Sequence, residues 1–238
     1  LLRAGLLTTL LTPAVVAGQE PSDAADWPIY NRDLAGTRFS PLTEIDTGNV
    51  GTLEEAWSYA LGRHPSTDTL TGGYQFTPLV IDGVMYVAGA DHVAALDAAT
   101  GSEVWRFAMR EGLLPSRRGL AYWSGDGEHA PRVVITAGRS LVQIVPAEQT
   151  SSRQTLPITY FGAPVIFENL ILIGSNTPPG SVRALDLRDG SEVWVFHSTP
   201  GPGEPGHETW ESDAWRNQSR IFHWAFSFTI DVERELVF

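Results

Sequence analysis

The chain contains no cysteine. A disulfide framework, a thiolate metal site and a cysteine nucleophile are therefore all excluded. Positive charge is scarce: 16 basic against 28 acidic residues leave a net charge of -12 and a pI near 4.8. Phosphate backbones are bound by clustered Lys and Arg, so nucleic acid is excluded as a partner and an anionic membrane surface is disfavoured. Long apolar runs are confined to the start. Leu1 to Ala17 carries one charge, Arg3, and closes on Val15-Val16-Ala17-Gly18, small residues of the kind a signal peptidase cleaves. The run is short for a spanning helix, which needs about 20 residues. Residues 1–18 therefore read as a secretory signal whose start is missing, the chain opening without Met, and residues 19–238 as the mature body. Helical periodicity is also scarce, which makes the body all-β.

What is present is a repeat. Ala95-Leu96-Asp97-Ala98-Ala99-Thr100-Gly101-Ser102-Glu103-Val104-Trp105-Arg106-Phe107 returns as Ala184-Leu185-Asp186-Leu187-Arg188-Asp189-Gly190-Ser191-Glu192-Val193-Trp194-Val195-Phe196, displaced by 89 residues. Propeller repeats run at about 40–50 residues, so the displacement suits two units with a third between them. Leu141 to Pro146 stands where that middle copy belongs, with Gln143 aligned to Ala95, and it has lost the Asp, the Gly and the Trp. An earlier partial copy ends at Trp57. Each full copy reads as a hairpin: Asp97 caps the turn through its carboxylate, Gly101 takes positive φ, and Val93–Ala95 pairs with Val104–Phe107. Trp105 and Trp194 then fall at one point of the outer strand, where a ring wedges between neighbouring sheets and buries about 150–250 Å².

Further hairpins flank Asp82-Gly83 and Glu168-Asn169, and Val133–Thr136 is another β-branched run. Arg110–Arg117, Glu148–Pro157 and Thr199–Arg220 show least pattern and read as loops, where sites on a rigid β scaffold tend to lie. The count comes to three to four blade equivalents, an arc too short to close. With Phe238 inside an apparent strand, the expectation is part of a longer protein.

Five motifs in matching order give this chain a family resemblance from Trp27 onward. They are Trp27-Pro28-Ile29-Tyr30-Asn31-Arg32-Asp33-Leu34-Ala35-Gly36-Thr37-Arg38-Phe39-Ser40-Pro41-Leu42; Thr77-Pro78-Leu79-Val80 with Met85-Tyr86-Val87; Arg118-Gly119-Leu120-Ala121-Tyr122-Trp123; Gly125-Asp126-Gly127; and Pro200-Gly201-Pro202-Gly203-Glu204 with Gly206-His207-Glu208-Thr209-Trp210. The pattern resembles the pyrroloquinoline-quinone (PQQ)-dependent dehydrogenases, in particular their glucose and polyol dehydrogenase-like branch. The resemblance implies an eight-bladed propeller of which this chain is a part. It implies PQQ on the axis with calcium beside it, a sugar, polyol or alcohol substrate, and electrons passed to a membrane quinone or a cytochrome. It also implies a periplasmic setting. The lack of cysteine agrees with a branch that replaces the vicinal disulfide of the alcohol dehydrogenases.

The same resemblance nominates site residues. Arg118 is placed beside the quinone, where a fixed guanidinium stabilises charge developing on an oxygen. Gln75 stands near where relatives carry a cofactor-contacting Glu, and it keeps the hydrogen bonding without the charge. Glu208 is the first choice for the base that takes the substrate hydroxyl proton, with Glu211 and Asp213 as rivals. A zinc-protease reading of His207-Glu208 fails, because Glu211 occupies the place of the second His. Asn176 is the candidate calcium ligand, in a Ser175–Gly180 loop that looks shortened against the 6–8 oxygens calcium takes. Two other readings stand beside the enzyme: a non-catalytic propeller scaffold, and a degenerate relative without activity of its own.

Overall fold

The computed structural model describes residues 25–62, 75–110, 112–116, 118–160, 162–175, 180–216 and 228–238. The expected signal segment 1–18 and Asn176 lie outside them. Among the described residues thirteen strands run in order: β1 Leu79–Ile81, β2 Val84–Ala88, β3 His92–Asp97, β4 Glu103–Ala108, β5 Ala121–Trp123, β6 Arg132–Val145, β7 Thr150–Tyr160, β8 Val165–Phe167, β9 Leu170–Gly174, β10 Ser181–Asp186, β11 Glu192–His197, β12 Ile230–Asp231 and β13 Leu236–Val237. They build antiparallel meanders β1-β2-β3-β4, β5-β6-β7 and β8-β9-β10-β11, followed by the hairpin β12-β13.

The middle sheet is a four-limbed blade like its neighbours. A straight strand from Arg132 to Gln143 would span about 36 Å at ~3.3 Å per residue. Yet Arg132 Nη1 donates to Gln143 Oε1 at 2.7 Å, so β6 doubles back. Gly138, at φ 58°, sits at the reversal. The burial pattern agrees: Val133, Ile135 and Ala137 share one cluster with Val142 and Ile144, while Val134 and Leu141 share the other. The first limb pairs with β5 and the second with β7.

Each blade is buried on both faces. One cluster joins Leu79, Tyr86 and Val93 of the first blade to Leu120, Val133 and Ile144 of the second. Another joins Trp123, Leu141 and Tyr160 to Ile166, Ile171 and Leu185 of the third. Burial, with Tyr122 beside it, pushes the Tyr86 hydroxyl up to about 12. The outer strands β4 and β11 alternate towards solvent, as the last layer of a meander must. Trp105 and Trp194 lie on these strands in separate sheets, opposite Ala95 and Ala184.

The docking expected of the tryptophans is visible one unit earlier. Trp57 stacks on Gly101 so closely that a methyl there would fall under 3.0 Å from the indole, and its Nε1 donates to Ala98 O at 3.2 Å. Gly101 has φ +71°, so the bare backbone serves the turn and the ring together. In the middle blade register gives the tryptophan place to Ser152, opposite Gln143. Gln154, two residues on, fills the gap instead: its amide packs on Gly190 and donates to Gly190 O at 2.6 Å.

One expectation is corrected. Glu148–Pro157 is not a loop: β7 runs from Thr150 to Tyr160. It is the outer strand of its blade, exposed over most of its first half, so it carries no apolar alternation to read. Pro157 is tolerated because an outer strand need not donate on its free edge.

The N-terminal segment straps the blades together. Trp27 bridges Val80 on β1, closing that innermost edge. Asp26 accepts from the Asp82 N–H, and Leu34 O accepts from Ile230 N–H at 2.9 Å. Ile29 and Leu34 are buried against Val165, Leu172 and Ile230.

Candidate active site

An antiparallel meander sends its turns alternately to two ends. The β1–β2 and β3–β4 turns lie at one end. The β2–β3 turn and the crossover to the next blade lie at the other. Gln75 precedes β1, Arg118 lies in the crossover before β5, and Glu208 lies in the crossover after β11. Topology therefore places all three on one end of the propeller.

Two of them meet. Gly119 has φ +133°, and a Cβ built on it would lie 3.5 Å from Phe76 Cβ and 3.6 Å from Ala163 Cβ. The starts of three innermost strands are thus in van der Waals contact. Gln75 and Arg118 each stand one residue before a member of this junction. Gln75 is exposed and Arg118 half-buried.

The Arg118 turn is held by a hydrogen-bond chain the sequence did not advertise. The Arg118 N–H donates to Ser116 Oγ at 3.1 Å. The Ser116 N–H donates to Thr136 O at 2.8 Å. The Thr136 hydroxyl donates to Gly162 O at 2.9 Å. Ser116 is 3% exposed and Thr136 0%. The chain ties the crossover to its own blade and to the start of the next. Its only trace in the sequence is one hydroxyl in an otherwise apolar β-branched run.

Glu208 is carried by a different element, the loop leaving β11. Glu204 anchors that loop, with Oε1 2.7 Å from His197 Nδ1 and Oε2 accepting the Gly201 N–H at 2.7 Å. The Gly201 N–H, and then His197, hold the Glu204 carboxyl below its ordinary value. His207 Nδ1 lies 3.0 Å from Pro200 O, and its ring meets Trp215 edge-on at 5.3 Å. Glu208 follows, exposed, on the single 3-10 turn His207–Thr209. Glu211 and Asp213 are exposed too, and Asp213 lies 3.5 Å from Arg216 Nε. Thr199, at the root of the loop, is 3% exposed, and its hydroxyl has no hydrogen-bond partner among the described residues.

A tryptophan-docked propeller with an arginine next to the junction of its innermost strands points to the quinoprotein class of β-propeller. The family model "PQQ: Glucose/ethanol/alcohol dehydrogenase, beta-propeller domain" matches residues 27–151 and 141–238. The chain belongs to this family. It is 32% identical over 210 residues to the dehydrogenase subunit of alcohol dehydrogenase (quinone) from Gluconobacter oxydans, a match covering 79% of this chain and 27% of that protein. It is likewise 32% identical over 201 residues to the quinohemoprotein alcohol dehydrogenase of Comamonas testosteroni, covering 76% and 27%. Among solved structures, quinohemoprotein alcohol dehydrogenase ADHIIG from Pseudomonas putida HK5 superposes with a TM-score of 0.75 at 28% identity, covering 90% of this chain and 34% of that one. The chain spans about a third or less of the length of these relatives.

The donors on this end fit an anionic quinone. PQQ presents carboxylates and quinone carbonyls, all hydrogen-bond acceptors. The Arg118 guanidinium, the Gln75 amide and the unpartnered Thr199 hydroxyl are donors. Calcium is served less well by the described residues: they include no cluster of three His, Asp or Glu.

Proposed function

We propose that the protein of which this chain is part is a periplasmic PQQ-dependent dehydrogenase that oxidises an alcohol function, with sugars and polyols as the finer substrate class. The observation that carries the reading is the junction of three blade starts at Gly119, flanked by Gln75 and Arg118. Bound there, PQQ supplies the two-electron acceptor for the substrate C–H bond. Arg118 and Gln75 hold its acceptor oxygens. The Arg118 guanidinium would stabilise negative charge on an acceptor oxygen held beside it. Glu208 takes the substrate hydroxyl proton as the base. Calcium completes the reading through the branch resemblance, with Asn176 as its nominated ligand. Electrons leave to a membrane quinone or a cytochrome. The periplasmic placement rests on the apolar, signal-like run Leu1–Ala17. Sugars and polyols are favoured by the Pro200–Trp210 motif.

The test is a PQQ titration of the protein with calcium, followed by dye reduction with ethanol, glucose and a polyol. Arg118→Ala is expected to weaken PQQ binding on the order of ten- to a hundredfold, the worth of one charge-assisted hydrogen bond. Unchanged PQQ affinity in that variant refutes the assignment of Arg118. Turnover of ethanol alone refutes the sugar and polyol class.

A further inference from the structure

The two ends of the tryptophan repeat meet their neighbours differently, and the difference leaves a guanidinium without a partner. Where the Trp57 segment docks on the first blade, three side chains complete one another. Tyr59 OH donates to Glu103 Oε2 at 2.6 Å. Arg106 Nη2 lies 2.7 Å from Glu103 Oε2 and 2.9 Å from Tyr59 OH. Arg106 stands opposite Ala94 and Glu103 opposite Leu96.

The next interface repeats the frame with other residues. Trp105-Arg106-Phe107 matches Trp57-Ser58-Tyr59, so Phe107 takes the place of Tyr59. Arg153 stands opposite Val142 and Ser151 opposite Ile144, the equivalents of Ala94 and Leu96. The arginine is kept, while the phenol and the carboxylate are gone. In the third blade the glutamate returns as Glu192, opposite Leu185 and paired with Arg183. Arg153 and Arg110 are both exposed, and neither makes a side-chain hydrogen bond or ion pair among the described residues.

In the space sits a groove of about 560 Å³. Phe107, Met109, Leu113 and Val142 give it apolar walls, and Arg110, Arg153 and Ser151 give it polar ones. Its size suits a small ligand. In a chain of net charge -12, this groove carries two guanidiniums on its lining.

We propose that this groove between the first and second blades binds a small carboxylate with an apolar body. The carboxylate takes the place that Glu103 holds one interface earlier, as a fork-shaped partner for Arg153, with Arg110 at the rim. The apolar body lies on Phe107, Met109, Leu113 and Val142. The site lies between outer strands and is separate from the junction at Gly119.

The probe is octanoate, with octanol as its uncharged counterpart, titrated calorimetrically into the full chain. Octanoate is expected to bind the native protein at least about tenfold more tightly than octanol, and Arg153→Gln to weaken octanoate on the order of ten- to a hundredfold. The double variant Phe107→Tyr, Ser151→Glu rebuilds the Tyr59–Glu103–Arg106 arrangement. It is expected to abolish octanoate binding and to raise the melting temperature. Octanol binding as tightly as octanoate, octanoate binding untouched by Arg153→Gln, retained binding in the double variant, or no octanoate binding at millimolar concentration would each overturn the proposal.

Discussion

Gly101→Ala isolates the worth of tryptophan docking, because the fold supplies its own control. Three glycines sit at hairpin turns with nearly the same backbone: Gly83 at φ +74°, Gly101 at +71° and Gly190 at +77°. A left-handed conformation costs an L-residue about 1–2 kcal/mol. That penalty is common to all three. They differ in what an added methyl meets. Gly83 has nothing within 4 Å, Gly190 faces the amide end of Gln154, and Gly101 faces the Trp57 ring. An amide on a flexible stem swings away at small cost. An indole packed on the first blade and bonded to Ala98 O does not, and overpacking of this kind costs about 1–3 kcal/mol more. Gly83→Ala is therefore expected to cost about 1–2 kcal/mol, Gly101→Ala about 2–5, and Gly190→Ala to fall between them. Urea unfolding followed by tryptophan fluorescence and by circular dichroism gives the three values on one scale. A Gly101→Ala cost no larger than that of Gly83→Ala would refute the reasoning, since docking would then contribute nothing beyond the turn.

Four further outcomes are expected. Gln149 stands at φ 52°, where the flanking blades place Gly101 and Gly190, so Gln149→Gly is expected to raise stability by about 0.5–1 kcal/mol in the same urea experiment. Thr136→Val keeps shape but strips the donor from Gly162 O, and is expected to cost about 1–3 kcal/mol and to weaken PQQ binding in a titration, with Thr136→Ser restoring most of both. Trp57→Phe removes the indole N–H from Ala98 O and part of the ring, for an expected loss of about 1–3 kcal/mol by thermal melting. Glu204 has its carboxyl held below the ordinary 4.5, so the ordering it gives the Pro200–His207 loop is fully present above that value and is lost as pH falls through the lower folded value; amide exchange at Gly201 should rise in that acid window and not near neutrality.

What the sequence disclosed and what it hid divide along the two ends of the blades. The turns at one end are short and carry the repeat: Asp97 accepts the Ala99 and Thr100 N–H groups, and Gly101 takes the left-handed place. Such chemistry is local, so it is written in consecutive residues and is readable. The hairpins at Asp82-Gly83 and Glu168-Asn169 were legible for the same reason. The outer strand β7 was not, because a strand facing water has no apolar alternation, and its contact to the next blade is made by Gln154, a residue no tryptophan pattern predicts. Arg118 and Gln75 were nominated by motif. What holds the Arg118 turn, Ser116 and Thr136, was invisible because each acts through a partner 20 or more residues away in its own or the next blade.

The division has a functional consequence. A repeat must keep the residues that dock one blade on the next, and those lie on outer strands and at the short turns. The opposite end carries crossovers whose lengths differ between blades, from the short connection at 161–164 to the long one that follows His197. The tryptophan contacts do not depend on these crossovers, so crossover residues are free of that constraint. Gln75, Arg118 and Glu208 all lie there. At the groove beside Arg153 the residues that dock the first blade on the second have drifted, with Tyr59 and Glu103 of the preceding interface answered by Phe107 and Ser151 around a retained arginine. Ser151 and Arg153 are exposed there, so water fills the groove and no packing penalty forces the sheets to close over it. An arginine kept where its glutamate and tyrosine partners are lost is the physical ground for looking there for a ligand before looking anywhere else on the outer rim.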